Sequence, residues 1–508
     1  MPDRRDDQLE RLSKAPFDVL VIGAGAIGAA TAWYAALAGA RVAVVDRGDV
    51  AGATSSASSK LMHGGLRYLA MGDVGLVREA HRERRAHART VAPHLVQPLE
   101  FVVPVGPDSP TRLWQVRAGV FLYGALARFA DGRNGRISLA SARRRVPPLI
   151  TEGLRGTVLY HDHQTHDARL AISALRAAAD AGAVVATHAA VVSLRLVGGV
   201  VAGAEVVDRL GGRRLSVRAR TVVNAAGPWV DVIRRLEDPA TGTSVVLSKG
   251  AHLILAGGGD WTAAVTTPLP GGRVSFAIPW EGMLLLGTTD EPYDGDPAAV
   301  EATDADVAQI LTEAGRSLSA DVLASSLVRS RFAGVRVLPA SGSSTIRTRR
   351  ETVVSRGAAG MVSVAGGKLT TWRSIGARAA RLALASLGGR AVPAGPVALP
   401  GAAPLAAVER RLAASYPQLS GDVRSHLARH YGTRFAALLA PAGAQPQLLE
   451  RIHPDGPDIW AQAVYGRDHE WAATVDDVLS GRTTVALRGL DDVAVREAVT
   501  RMLARRGQ

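Results

Sequence analysis

Two kinds of hydrophobic spacing divide the chain. Val19-Leu20-Val21-Ile22 is a short unbroken apolar run of the kind a buried strand shows; a glycine turn follows, then an alanine-rich helical stretch ending at Gly39. A second apolar run after Arg41, Val42-Ala43-Val44-Val45, closes on Asp46, so the spacing predicts a β–turn–α–β unit. No charged residue occurs from Val19 to Ala40, a length that could cross a bilayer, but the clustered glycines make a poor spanning helix and the unit reads as soluble. Between Gly182 and Asn224, Val-rich alternating segments are separated by Gly198-Gly199 and Gly211-Gly212, which predicts a small antiparallel meander. More short β-like runs with Gly and Pro punctuation fill Val245 to Asp290. Ala391 to Pro404 (AVPAGPVALPGAAP) reads as a linker, and Leu405 to Gln508 carries helical periodicity, the pattern of a separate helical domain. No internal repeat is visible.

Composition narrows the chemistry. A chain of 508 residues has room for two or three domains. With no cysteine it forms no disulfide, thiolate zinc site, iron–sulfur cluster or cysteine nucleophile. The 60 Lys plus Arg against 46 Asp plus Glu give a net charge of +14, almost all of it arginine, since lysine occurs only at 14, 60, 249 and 368. Basic pairs and triplets are scattered along the chain without a nucleic-acid module, so anionic substrates or an anionic membrane surface fit better than DNA or RNA. The first eighteen residues are charged throughout and lack an apolar signal region, from which a cytoplasmic location is expected.

Gly23-Ala24-Gly25-Ala26-Ile27-Gly28 is a G-x-G-x-x-G between a strand and a helix. Gly23 permits the tight turn, Gly25 lets the backbone approach a pyrophosphate, and Gly28 allows the helix to lie close to the strand. The helix N-terminus favours phosphate, and Asp46 falls where a carboxylate accepts ribose hydroxyls. The fingerprint alone leaves FAD and NAD open. The Gly/Ser-rich segment from Gly52 to Leu69 tilts the choice toward FAD, and two further glycine turns after strands, Val222–Trp229 and Val362–Thr371, imply one cofactor fold interrupted by insertions.

These residues resemble the FAD-dependent glycerol-3-phosphate dehydrogenases, within the wider group of amino-acid-oxidase-like flavoproteins. The matching strings are GATSSASSKLMHGGLRYL, HDARL (166–170), NAAGPW (224–229), KGAHLIL (249–255), GTTD (287–290), GVRVLP (334–339) and GGKLTTWR (366–373). The resemblance implies oxidation of sn-glycerol 3-phosphate at C2 to dihydroxyacetone phosphate, with electrons passing to FAD and then to a quinone at the membrane. It implies FAD contacts from Gly23, Gly25, Gly28, Asp46, Thr54, Ser55, Ser58, Ser59, Lys60, Leu61, Gly64, Val191, Ala226, Gly227, Trp229, Gly366, Gly367, Lys368, Leu369 and Thr370. Arg67, Tyr68, Arg336 and Lys368 would form a phosphate clamp, for which fixed cationic donors are the right chemistry. His252, Arg336 and Arg349 are the catalytic candidates; either His252 or a pocket arginine would handle the C2 hydroxyl proton. Three positions depart from the family pattern: Arg350 stands where an acidic residue usually follows, Val337 interrupts GVRPL, and Asp46 replaces a frequent Glu.

The expected architecture is an α/β, Rossmann-like FAD-binding domain with an inserted β-rich substrate domain, plus a helical C-terminal domain. Residues 1–16 would be a flexible extension. Residues 17–98, 165–245 and 330–390 would form the FAD-binding domain, 99–164 and 246–329 the substrate domain, 391–404 the linker and 405–508 the helical domain. A homodimer with peripheral contact to the inner face of the cell membrane is expected. His161-Asp162-His163 with His166-Asp167 has metal-like composition, but the first three alternate along a strand and Asp167 reads as a helix cap, so no metal is expected. Asp476-Asp477 reads as solvated surface. An amine or amino-acid oxidase, an oxygen-using glycerol-phosphate oxidase and a non-catalytic flavin- or membrane-binding protein are the alternatives.

Overall fold

The computed structural model describes residues 5–66, 69, 72–340 and 352–504. Arg67, Tyr68 and Arg349, three of the expected substrate residues, lie outside the described residues.

The β–turn–α–β unit seeds one sheet. Its strands run in the order Val353–Arg356, Val362–Ala365, Arg214–Asn224, Phe17–Ile22, Val42–Val45, Val184–Ala186. All but the first pair are parallel, which is why Phe17–Ile22 and Val42–Val45 are apolar on both faces. The helix Ala26–Leu37 is buried nearly all round between this sheet and the helices Asp167–Asp180 and Trp372–Ala385. That burial, rather than lipid, explains the uncharged stretch. Small residues set the helix spacing: a Cβ on Gly376 would stand 2.4 Å from the Ala30 methyl.

The expected meander forms, and its last strand serves two partners. The first half of Arg214–Asn224 pairs antiparallel with Val200–Asp208, and its second half runs parallel to Phe17–Ile22. The second sheet follows the order Glu291–Pro292, Val245–Ala256, Met283–Gly287, Val274–Trp280, Ala263–Pro268, Gln97–Val105, Gly156–Gln164, Leu61–Met62. Val328–Pro339 pairs along the whole of Val245–Ala256. Residues 330–339, expected in the FAD-binding domain, therefore belong to this second sheet. So do Leu61 and Met62, paired with Gln164 and His163.

Three local expectations are corrected. Within the expected flexible extension, Arg5–Lys14 form a helix that buries Leu9 and Leu12 against the first sheet, because both are apolar on one helix face. The cap of the helix Asp167–Asp180 is His166, whose Nδ1 accepts from the Arg169 amide; Asp167 is the first helical residue, and its carboxylate is turned to Lys60 and Ser58. Asp477 is not solvated surface: it is buried and accepts from His188 Nε2 at 2.9 Å and from the Ala473 and Thr474 amides, while Asp476 stays exposed beside Arg496.

Past the linker, five α-helices between Leu405 and Ala504 build two cores of their own, one around Val408, Leu412, Leu427, Phe435 and Ile459 and one around Val478, Leu479, Val495 and Val499. Among the described residues no helix is long and apolar enough to cross a membrane. Buried ion pairs seat this domain on the rest. Arg169 pairs with Glu470, and Arg482 with Asp49. Glu281, in the turn after Val274–Trp280, accepts from His426 Nδ1 at 3.1 Å, from His430 Nε2 at 2.6 Å and from Arg488 at 3.2 Å. The donor atoms of Glu281, His426 and His430 lie within 4.8 Å of one another, but the Arg488 guanidinium on the same carboxylate opposes a metal cation there.

This seam carries a pH dependence. Burial disfavours the His426 imidazolium, but Asp458 at 2.9 Å and Glu281 outweigh burial and raise it to about 9. A histidine whose pKa is raised on folding contributes fully below its ordinary value, and the contribution is lost as pH rises through the folded value. The melting temperature is therefore expected to fall between about pH 6.5 and about pH 9, by an amount worth roughly 3 kcal/mol. His426→Gln should lower the melting temperature at neutral pH and flatten its fall toward alkaline pH, as thermal melts of both proteins across that range would show.

Candidate active site

A cavity of about 1930 Å³ lies between the two sheets. Its floor is the fingerprint turn. Gly23 sits at φ +108°, and a Cβ there would stand 2.4 Å from the Ala225 carbonyl oxygen; a Cβ on Gly25 would crowd Ser55 Oγ at 3.1 Å. Gly25 brings no side chain of its own to cap the helix, Ser55 Oγ takes the Ala26 amide, and Gly25, Ala26 and Ile27 line the cavity, leaving the rest of the positive helix end for phosphates. Gly28 does not reach the cavity. A Cβ there would meet the Gly23 carbonyl at 1.9 Å, so glycine is what lets helix and turn close up.

Asp46, at the end of Val42–Val45, accepts from the Ala24 amide at 2.6 Å and the Gly48 amide at 2.8 Å. Burial raises its carboxyl pKa, and those two amides work against the shift. Each carboxylate oxygen has a second lone pair for a ribose hydroxyl.

The Gly/Ser-rich segment lies along one wall, and its hydroxyls mostly bond protein. Thr54 Oγ1 donates to the Val335 carbonyl, Ser55 Oγ accepts from the Ala26 amide, and Ser58 donates to Asp167. Lys60 lines the cavity but is spent on Asp167 at 2.7 Å, both side chains having no exposed surface. Leu61, Val191, Ala226, Gly227, Trp229, Gly366, Gly367, Lys368 and Leu369 also line the cavity. Gly64 and Thr370 do not. The Gly64 amide donates to Asp162, with His81 and Tyr123 packed against it, and Thr370 Oγ1 donates to the His63 carbonyl.

The reactive end is built on the second sheet. Arg336, on Val328–Pro339, is opposite Ser248 on Val245–Ala256. Its guanidinium donates to Thr288 Oγ1 at 2.7 Å, to the Thr289 carbonyl at 3.0 Å and to Asp290 at 3.1 Å. Gly250 makes room for it, since a Cβ there would stand 2.4 Å from Arg336 Nη2. His252, two residues on, stacks on Phe332 with centroids 5.0 Å apart. Its Nε2 is 2.8 Å from Ser59 Oγ, and its buried Nδ1 has no hydrogen-bond partner among the described residues. Burial first, then the positive field of Arg336 and Lys60, pushes the ring down to about 3, so it is neutral at physiological pH.

Residues 18–373 match the family described as FAD dependent oxidoreductase, and residues 394–507 match the C-terminal domain of alpha-glycerophosphate oxidase. The glycerol-3-phosphate dehydrogenase of Mycobacterium leprae is 36% identical over 496 residues, which cover 96% of this chain and 84% of that protein. The chain belongs to the FAD-dependent glycerol-3-phosphate dehydrogenases. The human mitochondrial glycerol-3-phosphate dehydrogenase is 32% identical over 536 residues, covering all of this chain and 72% of that protein. Among solved structures, the Bacillus halodurans glycerol-3-phosphate dehydrogenase complexed with FAD superposes with a TM-score of 0.79 at 28% identity, covering 99% of this chain and 93% of that one.

FAD is the cofactor of this family, and the cavity fits it. The glycine cradle leaves space no Cβ could share, the helix end opens on the cavity, and Asp46 stands at the ribose position. For such a dehydrogenase the sequence signals omitted the residues that hold Arg336 in place. Asp290, Thr288 and Gly250 sit in the GTTD and KGAHLIL strings, which mark the family without disclosing their task. Ser480, Ala486 and Leu487 of the C-terminal domain also line the cavity.

Proposed function

We propose that this chain oxidises sn-glycerol 3-phosphate at C2 to dihydroxyacetone phosphate and passes the electrons to a membrane quinone. The observation that carries the reading is the convergence of Arg336, Lys368 and a neutral His252 on the cavity that holds the flavin cradle. Bound FAD supplies a two-electron acceptor.

The protein's part is binding and proton management. Arg336 and Lys368 hold the phosphate dianion, with Arg67 and Tyr68 as the further members of the clamp. An arginine stays protonated, so it stabilises charge on the substrate oxygen rather than removing the proton. That task falls to His252, through the Ser59 hydroxyl on its Nε2. The arriving dianion offsets the field of Arg336 and so raises the basicity of the ring at the moment it is needed.

Membrane contact is supported by the helix Leu113–Leu126, where Trp114 is 62% exposed and Phe121 60% exposed, with Leu122 and, just past the helix end, Phe129 also exposed. Exposed Arg112, Arg117, Arg128 and Arg133 surround them. This pairing of aromatics with arginine suits an anionic lipid interface. Val116, Gly119 and Leu122 of the same helix line the cavity, giving an apolar quinone a route from the lipid.

Initial rates decide the reading: sn-glycerol 3-phosphate should be oxidised with a quinone analogue as acceptor, glycerol should not, and oxygen should support only slow turnover. Rapid peroxide formation would make the protein an oxidase instead, and equal rates with glycerol would remove the phosphate clamp. Trp114→Glu with Phe121→Glu is expected to cut binding to anionic vesicles by about tenfold or more while leaving the flavin content unchanged. Vesicle cosedimentation checks it.

A further inference from the structure

The C-terminal helical domain contacts the cofactor end of the cavity as well as covering the sheets. Arg482, with no exposed side-chain surface, reaches across to the loop after Val42–Val45 and grips Asp49 with both prongs, at 2.6 and 2.7 Å. Its Nε donates to the Glu470 carbonyl at 2.9 Å, which fixes the guanidinium from behind. The neighbouring Asp477 holds His188 at 2.9 Å, and the His188 amide in turn donates to the Gly48 carbonyl at 2.8 Å. The next amide, Ala189, donates to the Asp46 carbonyl at 2.6 Å. Gly481 permits the approach, because a Cβ there would stand 2.9 Å from Asp49 Oδ2. Asp46, Arg47, Gly48 and Asp49 all line the cavity, and so does Ser480 of the C-terminal domain.

The loop from Asp46 to Asp49 is thus tied at each end of the ribose-binding carboxylate, and both ties lead to the segment Asp477–Arg482. We infer that the C-terminal domain is a clasp on the adenosine half of FAD, with Arg482 and Asp477 as positioning residues that hold the Asp46–Asp49 loop closed on the bound dinucleotide. The inference rests on FAD occupying this cavity. A loop is the weakest wall of a dinucleotide site, and here a buried two-pronged ion pair from another domain substitutes for a rigid element. The clasp holds the loop after Val42–Val45, whereas His252 and Arg336 stand on strands of the second sheet, so it governs how long the cofactor stays and leaves the handling of the substrate alone.

The test compares the full-length protein with Asp49→Asn/Arg482→Gln, which removes both charges together so that neither is left buried and unpaired. Flavin release is followed by the fluorescence of freed FAD on dilution, and the KM for sn-glycerol 3-phosphate is measured with FAD in excess. The expected result is release about tenfold faster or more, activity restored by added FAD, and a KM within about twofold of the parent. Arg482→Lys keeps a cation against Asp49 without the two-pronged geometry; it covers the case in which the double variant does not fold, with release about threefold faster. Parental FAD retention in a folded variant overturns the clasp, as does a rise in substrate KM that excess FAD does not correct. A parent protein that carries no flavin defeats the cofactor assignment instead, so the two failures are told apart.

Discussion

Arg336→Gln is expected to lower kcat/KM for sn-glycerol 3-phosphate by about 10³-fold while leaving flavin content unchanged. The size follows from the way the guanidinium is held. Thr288, Thr289 and Asp290 fix it from one side, and the absent Cβ of Gly250 leaves the space it fills. A donor fixed beforehand loses nothing to reorganisation when charge develops on the substrate, which makes it worth more than a mobile one. Arg336→Lys should recover only part of the loss, because an ammonium cannot reproduce a fork that bonds Thr288 and Asp290 together. Steady-state kinetics on flavin-replete variants test this. A drop of only a few-fold, confined to KM, would place Arg336 outside the reacting centre.

Asp167→Ala is expected to destabilise the protein by about 3–5 kcal/mol, the usual cost of breaking a fully buried ion pair from one side. Lys60 and Asp167 are both without exposed surface, and Asp167 also accepts from the amide and hydroxyl of Ser58. The pair pins the Gly/Ser-rich wall to the start of the helix Asp167–Asp180. Lys60 adopts φ +55°, a backbone conformation that packing must enforce, and its ammonium lies 5.6 Å from the Trp280 ring centre and 5.5 Å from that of Phe332. Without Asp167 that ammonium has no countercharge and its wall of the cavity loosens. Lys60→Met/Asp167→Leu, which removes both charges, should recover most of the stability. Denaturant unfolding separates the cases, since equal stability in the single and double variants would deny the pair this structural role.

What the sequence made legible was local. The unit from Phe17 to Asp46 declared itself because strand, turn and helix lie within thirty or so residues and each has its own spacing, and the same holds for the meander and the helical domain. The cofactor segments could be gathered only through the family's strings, since Ser59 and Gly227 are distant in the chain and line one cavity. Where the reading failed, the decisive contact was long-range. An acidic pair such as Asp476-Asp477 suggests solvated surface, yet the partner of Asp477, His188, is 289 positions away. Asp167 was read as a cap because Asp suits that position, and Lys60, 107 positions earlier, claims it instead. Residues 330–339, expected with the FAD-binding segments, hydrogen-bond instead along Val245–Ala256. The clasp of Arg482 on Asp49 spans 433 positions, which no local pattern signals.

The most direct measurement is an anaerobic titration of the purified, yellow protein. With sn-glycerol 3-phosphate the flavin band near ~450 nm should bleach, and with glycerol or glycine it should not. A flavin that stays oxidised with the phosphate ester but bleaches with an amine would contradict the proposed reaction, and a protein without flavin would contradict the site itself.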